Sequence, residues 1–321
     1  MQIALVGLGR MGQNMAKRLI DRGHELVVYD PSEAAMAMAK SFGAKPANNL
    51  LELKQLLKPP RIAWLMVPSE KVEQVLPEVA LGFSLGDIII DGGNSHFADS
   101  IKRSEELLEV GIDFLDIGVS GGIYGLERGY CLMAGGKKEA FDKLLPIFKA
   151  LAPSKDSAEK TKARSHNSFA DEGFFHCGKS GAGHYTKMIH NAIEYGMMQS
   201  MAEGLEILHR ASDQKLPENQ RFDFDLKEIC ELWRRGSVVS SWLLDLMSEA
   251  LHKDEQLKSF VGNVPDSGEG RWALMEAIKQ NTPAPNLAHS LFTRFRSRQQ
   301  NPFAEKALSA MRKEFGGHSE Q

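Results

Sequence analysis

Cysteine is scarce in this chain: Cys131, Cys177 and Cys230 stand among 321 residues. They show no metal-ligand spacing and cannot all pair, so free or buried thiols in a reducing cytosol are the simplest reading. The ten histidines include no H-E-x-x-H or comparable pattern, and no metal site is expected. An excess of one charge is also missing. The net charge of −3 offers no basic footprint, so no nucleic-acid partner is expected. No apolar run approaches the ~18–20 residues that span a bilayer, so no membrane partner is expected either. MQIALVGLGR enters a strand with no basic stretch before it, so no secretory signal is expected and a cytoplasmic location is. No internal repeat or low-complexity segment is found. A chain of 321 residues exceeds one ordinary core, and two domains are the default.

What is present begins at residue 2. IALVGLGRMGQNMAKRLIDRG starts as a short apolar run and then takes up helical periodicity, with Gly7-x-Gly9-x-x-Gly12 at the change. The first glycine permits a tight turn, the second lets backbone approach a pyrophosphate, and the third allows close helix–strand packing. The helix N-terminus adds N–H groups for the phosphates. Alone the pattern is weak; between a strand and a helix it lies where a dinucleotide needs it. The next strand, ELVVYDPSE, ends at Asp30. A carboxylate there accepts from the adenosine ribose hydroxyls of NAD and repels the extra phosphate of NADP. Its structural alternative is a helix N-cap or turn residue, with Pro31 at the first helical position.

Alternation continues, with strands expected at 61–67, 87–91, 112–117 and 130–134 and helices at 49–57, 69–80, 96–109 and 137–151. This pattern predicts an α/β Rossmann-type doubly wound domain. Two glycine-rich turns, DGGNS at 91–95 and GVSGGIYG at 118–125, follow strand ends, where ligands of open α/β sheets bind. Ser120, Gly121 and Gly122 can offer a hydroxyl and backbone N–H groups to a carboxylate. Equally, both loops can be plain tight turns. Residues 153–172 are polar and read as a surface excursion. FFHCG at 174–178 reads as a last strand. Beyond it the pattern is helical, at 183–211, 225–235, 237–252, 269–280, 286–298 and 302–314. The expected division is therefore an NAD-binding domain over 1–178 and an all-α domain over 179–321.

The first of those helices raises a chemical question. Lys187, His190, Asn191, Glu194 and Tyr195 fall on one arc of roughly 140°, with Met188, Ile189, Ala192, Ile193 and Met197 on the other side. Taken alone, such a face reads as a solvated one with weak ion pairs.

The wider run changes that reading. GHYTKMIHNAIEYGMMQ at 183–199, with DGGNS and GVSGG upstream, resembles the decarboxylating 6-phosphogluconate dehydrogenase family. GEGRW at 268–272 is similar to that family's G-x-G-K-W segment. SLFTRF at 290–295 is similar to the segment bearing its phosphate-binding arginine, here Arg294, and RKEFGGH at 312–318 to its R-x-x-F-G-x-H tail. The wider β-hydroxyacid dehydrogenase superfamily shares the glycine fingerprint, the S-G-G turn and a K-x-x-x-N pair, but not H-N-x-x-E-Y or the tail.

The resemblance implies oxidation of 6-phosphogluconate at C3, loss of CO2 and protonation of an enediol to ribulose 5-phosphate. It implies Lys187 as base, Glu194 as acid, and Asn191 and His190 as partners of the reacting hydroxyls. Ser120, Gly121, Gly122, Asn94, Tyr195 and Arg294 would hold substrate. Arg312 and His318 would reach the neighbouring active site of a homodimer or homotetramer; without the tail match they read as a frayed C-terminus. NAD would contact Gly7, Leu8, Gly9, Arg10, Met11, Gly12, Asp30, Val67 and Asn94. Three departures stand out. The chain resembles a short form of the family, with a smaller helical domain. Its second strand ends Asp30-Pro31-Ser32 where NADP-type members read N-R-T. Ser267 takes the place of a phosphate-binding lysine, with Arg271 nearby as a substitute.

Overall fold

The computed structural model describes residues 1–317. Eight strands form one sheet: β1 (Gln2–Val6), β2 (Glu25–Tyr29), β3 (Lys45–Pro46), β4 (Ile62–Leu65), β5 (Ile88–Asp91), β6 (Asp113–Ser120), β7 (Cys131–Gly136) and β8 (Phe174–Gly178). Their order is β3-β2-β1-β4-β5-β6-β7-β8. Every neighbouring pair is parallel except β6 and β7, which are antiparallel. Order reverses beside β1, so β1 and β4 flank a switch point, where a crevice opens at the carboxyl ends of the strands.

The helices within or between these strands are α1 (Arg10–Asp21), α2 (Glu33–Ser41), α3 (Leu53–Leu56), α4 (Ser69–Leu81), α5 (Phe97–Glu109), α6 (Gly125–Arg128), α7 (Lys138–Lys143) and α8 (Leu145–Leu151). After β8 come α9 (Ala182–His209), α10 (Leu226–Trp233), α11 (Trp242–Lys253), α12 (Glu269–Lys279), α13 (Pro285–Ser297) and α14 (Phe303–Gly316). The α/β doubly wound domain followed by helices is the fold class the sequence predicts. Among the described residues no helix is long and apolar enough to cross a membrane, and no group of three or more His, Cys, Asp or Glu is arranged to hold a metal.

The chain forms two compact units, Met1–Ile189 and His190 onward. In the first, strand periodicity sends alternate residues to opposite faces. Ile3, Leu5, Ile62, Trp64, Ile88 and Ile90 join one apolar layer with Met15 and Leu19 of α1 and Phe148 of α8. Ala4, Val6, Ala63, Leu65 and Ile89 join the other, with Val72 and Leu76 of α4. Central parallel strands buried on both faces need continuous apolar runs, which is why IAWL and IIID read as they do. The unit extends past β8 because the first turns of α9 belong to it. Asp116 of β6 accepts from the backbone N–H groups of Gly181 (2.7 Å) and His184 (2.9 Å). A Cβ on Gly183 would meet the carbonyl oxygen of Asp116 at 2.2 Å.

Several elements differ from the sequence expectation. β3 has two residues and no readable period. The single helix expected over 137–151 is two, parted at Leu144 with Pro146 in the first turn of α8. The helix expected from 237 begins at Trp242, where Ser241 caps it by accepting from the Leu244 N–H. The polar excursion holds 3-10 turns at Lys155–Ser157 and Phe169–Glu172, the second closed by a capping box between Ser168 and Asp171. In the second unit Leu205, Cys230, Leu244 and Leu251 form a small core.

Candidate active site

The glycine loop takes the form its spacing predicts. Gly7 has φ +95, and a Cβ there would meet the Met66 carbonyl oxygen at 2.5 Å. A Cβ on Gly12 would meet the Gly7 carbonyl oxygen at 2.1 Å. At Gly9, the N-cap of α1, a Cβ would meet nothing within 4 Å. α1 has no side-chain cap and no acidic residue in its first turn, which leaves an anion-accepting helix end open.

Beside it lies a cavity of about 700 Å³. Gly7, Gly9, Arg10, Met11, Gly12, Asp30, Val67, Asn94 and Lys187 of the expected site line it. Leu8 does not: its side chain is buried and its N–H donates to Asp30 Oδ2 at 2.7 Å. Asp30 also accepts from the Ser32 N–H at 2.8 Å, and Ser32 rather than Asp30 caps α2. Asp30 is therefore a turn residue and not the helix N-cap. It ties the turn together, and each carboxylate oxygen keeps lone-pair capacity toward the cavity. Lys71, Gln74 and Glu78 of α4 also line the cavity. Their spacing on the inner face of the 69–80 helix was the available signal for them.

Lys187 reaches the cavity wall by close packing. A Cβ on Gly118 of β6 would lie 2.4 Å from the Lys187 Cβ, so only glycine fits there. Lys187 Nζ donates to Asn94 Oδ1 at 2.5 Å. Asn94 is held in turn by the DGGNS loop. Buried Asp91 accepts from the Ser95 hydroxyl (2.6 Å), the Gly93 N–H (3.0 Å) and Arg103 Nη1 (3.1 Å). Arg103 also donates to Glu73 of α4. A Cβ on Gly92 would meet Trp64 Nε1 at 2.0 Å and one on Gly93 the Val67 carbonyl oxygen at 2.7 Å, which accounts for the glycine pair. Asp116 anchors the start of the same helix, and burial pushes its carboxyl above the usual range. Its signal was an acid in the middle of a strand, flanked by Leu115 and Ile117. Ser120, Gly121 and Gly122 follow directly on Val119, which lines the cavity; Gly121 and Gly122 have φ +138 and +55. Arg18 is buried and donates to the carbonyls of Leu126, Ala150, Leu151 and Ala152, fastening the segment after this turn to α1.

In the second unit the remaining helix-face residues make their own network. Asn191 Nδ2 donates to Glu269 Oε1 at 2.5 Å, and His190 Nδ1 lies 3.0 Å from Asn191 Oδ1. Glu194 is half-buried. Tyr195 is buried; its hydroxyl accepts from the Ser267 N–H at 3.1 Å. The Arg294 guanidinium lies 3.5 Å from the Tyr195 ring centroid, and its Nη1 donates to the Pro265 carbonyl. Arg271 is bound by two hydrogen bonds to Asp266, which Arg298 also contacts. Arg271 first, against the opposing effect of burial, lowers the Asp266 carboxyl to about 2. Arg312 lies exposed within α14; His318 lies outside the described residues. The expected apolar back of α9 is divided: Met188 and Ala192 are buried, whereas Ile193 and Met197 are exposed.

A glycine loop, an acidic strand end and a lysine on one cavity wall define an oxidoreductase that binds a nicotinamide dinucleotide. Residues 2–161 match the NAD binding domain of 6-phosphogluconate dehydrogenase, and residues 183–320 match the 6-phosphogluconate dehydrogenase C-terminal domain. The chain belongs to the 6-phosphogluconate dehydrogenase family. Bacillus subtilis YqeC, provisionally named a 6-phosphogluconate dehydrogenase, is 42% identical, with 99% of each chain covered. The NAD(+)-dependent, decarboxylating 6-phosphogluconate dehydrogenase of Haloferax volcanii is 37% identical, over 99% of this chain and 98% of that one. The Plasmodium falciparum 6-phosphogluconate dehydrogenase, solved in apo form, with its cofactor NADP+ and with its substrate 6-phosphogluconate, is 27% identical with a TM-score of 0.76. That match covers 98% of this chain and 65% of the Plasmodium one.

Proposed function

We propose that the chain oxidatively decarboxylates 6-phosphogluconate to ribulose 5-phosphate and CO2, with NAD as hydride acceptor. The observation that carries this reading is Lys187, hydrogen-bonded to Asn94 on the wall of the cavity that Gly7, Gly9, Gly12 and Asp30 also line. The open N-terminus of α1 and the space at Gly9 fit a pyrophosphate, and Asp30 fits unphosphorylated ribose hydroxyls. The NADP+ of the Plasmodium enzyme and the NAD(+) of the Haloferax enzyme bracket the alternatives; Asp30 favours NAD.

When bound, NAD accepts the hydride that leaves C3 of the substrate. Lys187 Nζ takes the proton of the C3 hydroxyl and, once cationic, stabilises oxyanion character on the keto oxygen as CO2 departs. Glu194 stands nearly two turns along α9, about 10 Å by helical rise, and gives a proton to C1 of the enediol. Asn191 and His190 hold substrate hydroxyls, and Asn94 orients Lys187. Ser120, Gly121 and Gly122 receive the carboxylate. Tyr195 and Arg294 receive the phosphate, completed by Arg312 and His318 of a second copy in a homo-oligomer. Exposed Ile278, Phe303 and Phe315 in the second unit support burial against such a copy.

One observation favours a second reading, a related NAD-dependent β-hydroxyacid dehydrogenase acting on another sugar acid. Ser267 replaces the family lysine, and Arg271 is committed to Asp266. Rates on 6-phosphogluconate and gluconate separate the two. The proposed activity predicts a clear preference for the phosphorylated acid; preference for gluconate would favour the second reading.

A further inference from the structure

The first turn of α12 lies along the chemical face of α9. Ser267 donates its N–H to the Tyr195 hydroxyl, a Cβ on Gly270 would meet the Tyr195 ring at 2.9 Å, and Glu269 between them accepts from Asn191 Nδ2. Glu269 is 2% exposed, so its carboxylate is a built part of this face and not a solvated surface acid. Buried acids persist where their hydrogen bonds are strong and directed.

A carboxylate only accepts. The group of Asn191 that faces Glu269 must therefore be its NH2, which turns Oδ1 the other way, to His190 Nδ1 at 3.0 Å. An amide oxygen also only accepts, so His190 Nδ1 must carry the hydrogen. In the neutral ring Nε2 is then an acceptor. We infer that Glu269 sets the orientation of the Asn191 amide and, through it, the tautomer of His190, so that this face of α9 offers His190 Nε2 to a hydroxyl donor. Glu269 is a positioning residue. Its consequence for catalysis rests on the proposed function, in which His190 and Asn191 hold substrate hydroxyls; the tautomer itself does not.

The test uses the intact chain with ring-15N histidine. Spectra are taken about two units above the ordinary histidine pKa, where the imidazole is neutral, and His190→Gln assigns the resonance. The wild type is expected to show the Nδ1–H form, Glu269→Ala to move His190 toward Nε2–H, and Glu269→Gln, whose amide oxygen still accepts, to keep the wild-type pattern. A wild type dominated by Nε2–H, or an unchanged spectrum in Glu269→Ala, would overturn the inference. In parallel, Glu269→Ala is expected to lower kcat/KM for 6-phosphogluconate about 10–100-fold, with NAD affinity unchanged and no further loss on adding it to Asn191→Ala. Independent, additive losses would contradict the relay. If the wild type does not turn over 6-phosphogluconate, the proposed function fails, and the spectra still decide the inference.

Discussion

β4 and β5 of the first unit bury every residue, and two apolar layers cover the sheet from both sides. Among the described residues the second unit has one small cluster around Leu205, Cys230, Leu244 and Leu251, while Ile278 is 76% exposed and Phe315 96%. The first unit carries its own core and, with it, the whole lining of the cavity that suits a dinucleotide. Both units leave aliphatic side chains in water, such as Leu81 and Leu85 of the first, but the exposed phenylalanines concentrate in the second, at Phe260, Phe292, Phe303 and Phe315, where the proposed second copy would cover them. The chemistry divides in the same way: Lys187 is set by β6 and the DGGNS loop, whereas His190, Asn191 and Tyr195 are set by the first turn of α12.

The largest effect should come from the residue at the cavity wall. Lys187→Met is expected to lower kcat by about 10³-fold or more while NAD titration stays at wild-type affinity. Activity near wild type would remove Lys187 as the base. Next comes the contrast between the cores. Phe148→Ala, at a fully buried site, should cost about 3–5 kcal/mol in urea unfolding. Ile278→Ser should change the stability of dilute protein by less than about 0.5 kcal/mol but shift sedimentation toward smaller species. Equal sedimentation would mean that the exposed face of α12 is not an interface. Arg294→Ala should raise the KM for 6-phosphogluconate about 10–100-fold and leave NAD binding alone.

The smallest effect concerns pH. Asp266 titrates at about 2 when folded, chiefly through Arg271, below the ordinary carboxylate value of about 3.9. A lowered folded value means that the pair stabilises fully above the unfolded value, and that this contribution is lost as pH falls through about 2. Because Arg271 is half exposed, Asp266→Asn should cost no more than about 1–2 kcal/mol at neutral pH. The gap from wild type in thermal melts should close as pH falls from about 4 to about 2; a constant gap would show that the charge is not its source.

Much of the first unit was legible because its signals are local. A strand, three spaced glycines and an acidic strand end can be read in thirty residues, and steric demand at Gly7 and Gly12 explains why the pattern is strict. The arc on α9 was legible too, but its neighbours were not. Glu269 meets Asn191 across 78 residues, and Asp116 meets His184 across 68, distances over which no periodicity carries information. The buried ion pair of Arg103 with Asp91 joins a strand end to a helix, and neither residue's local pattern names its partner. The two-residue β3 owes its pairing to β2 and not to any pattern of its own. The exposure of Ile193 and Met197 was hidden because helical periodicity separates faces without telling what covers them.

In the proposed function this cavity binds NAD and the chain oxidises 6-phosphogluconate. The most direct test of that function is the rate of nicotinamide reduction by the purified chain with that substrate, measured in parallel with NAD and NADP. Rapid reduction of NAD and much slower reduction of NADP are expected. Faster reduction of NADP would contradict the role given to Asp30, and no reduction of either would contradict the proposed activity.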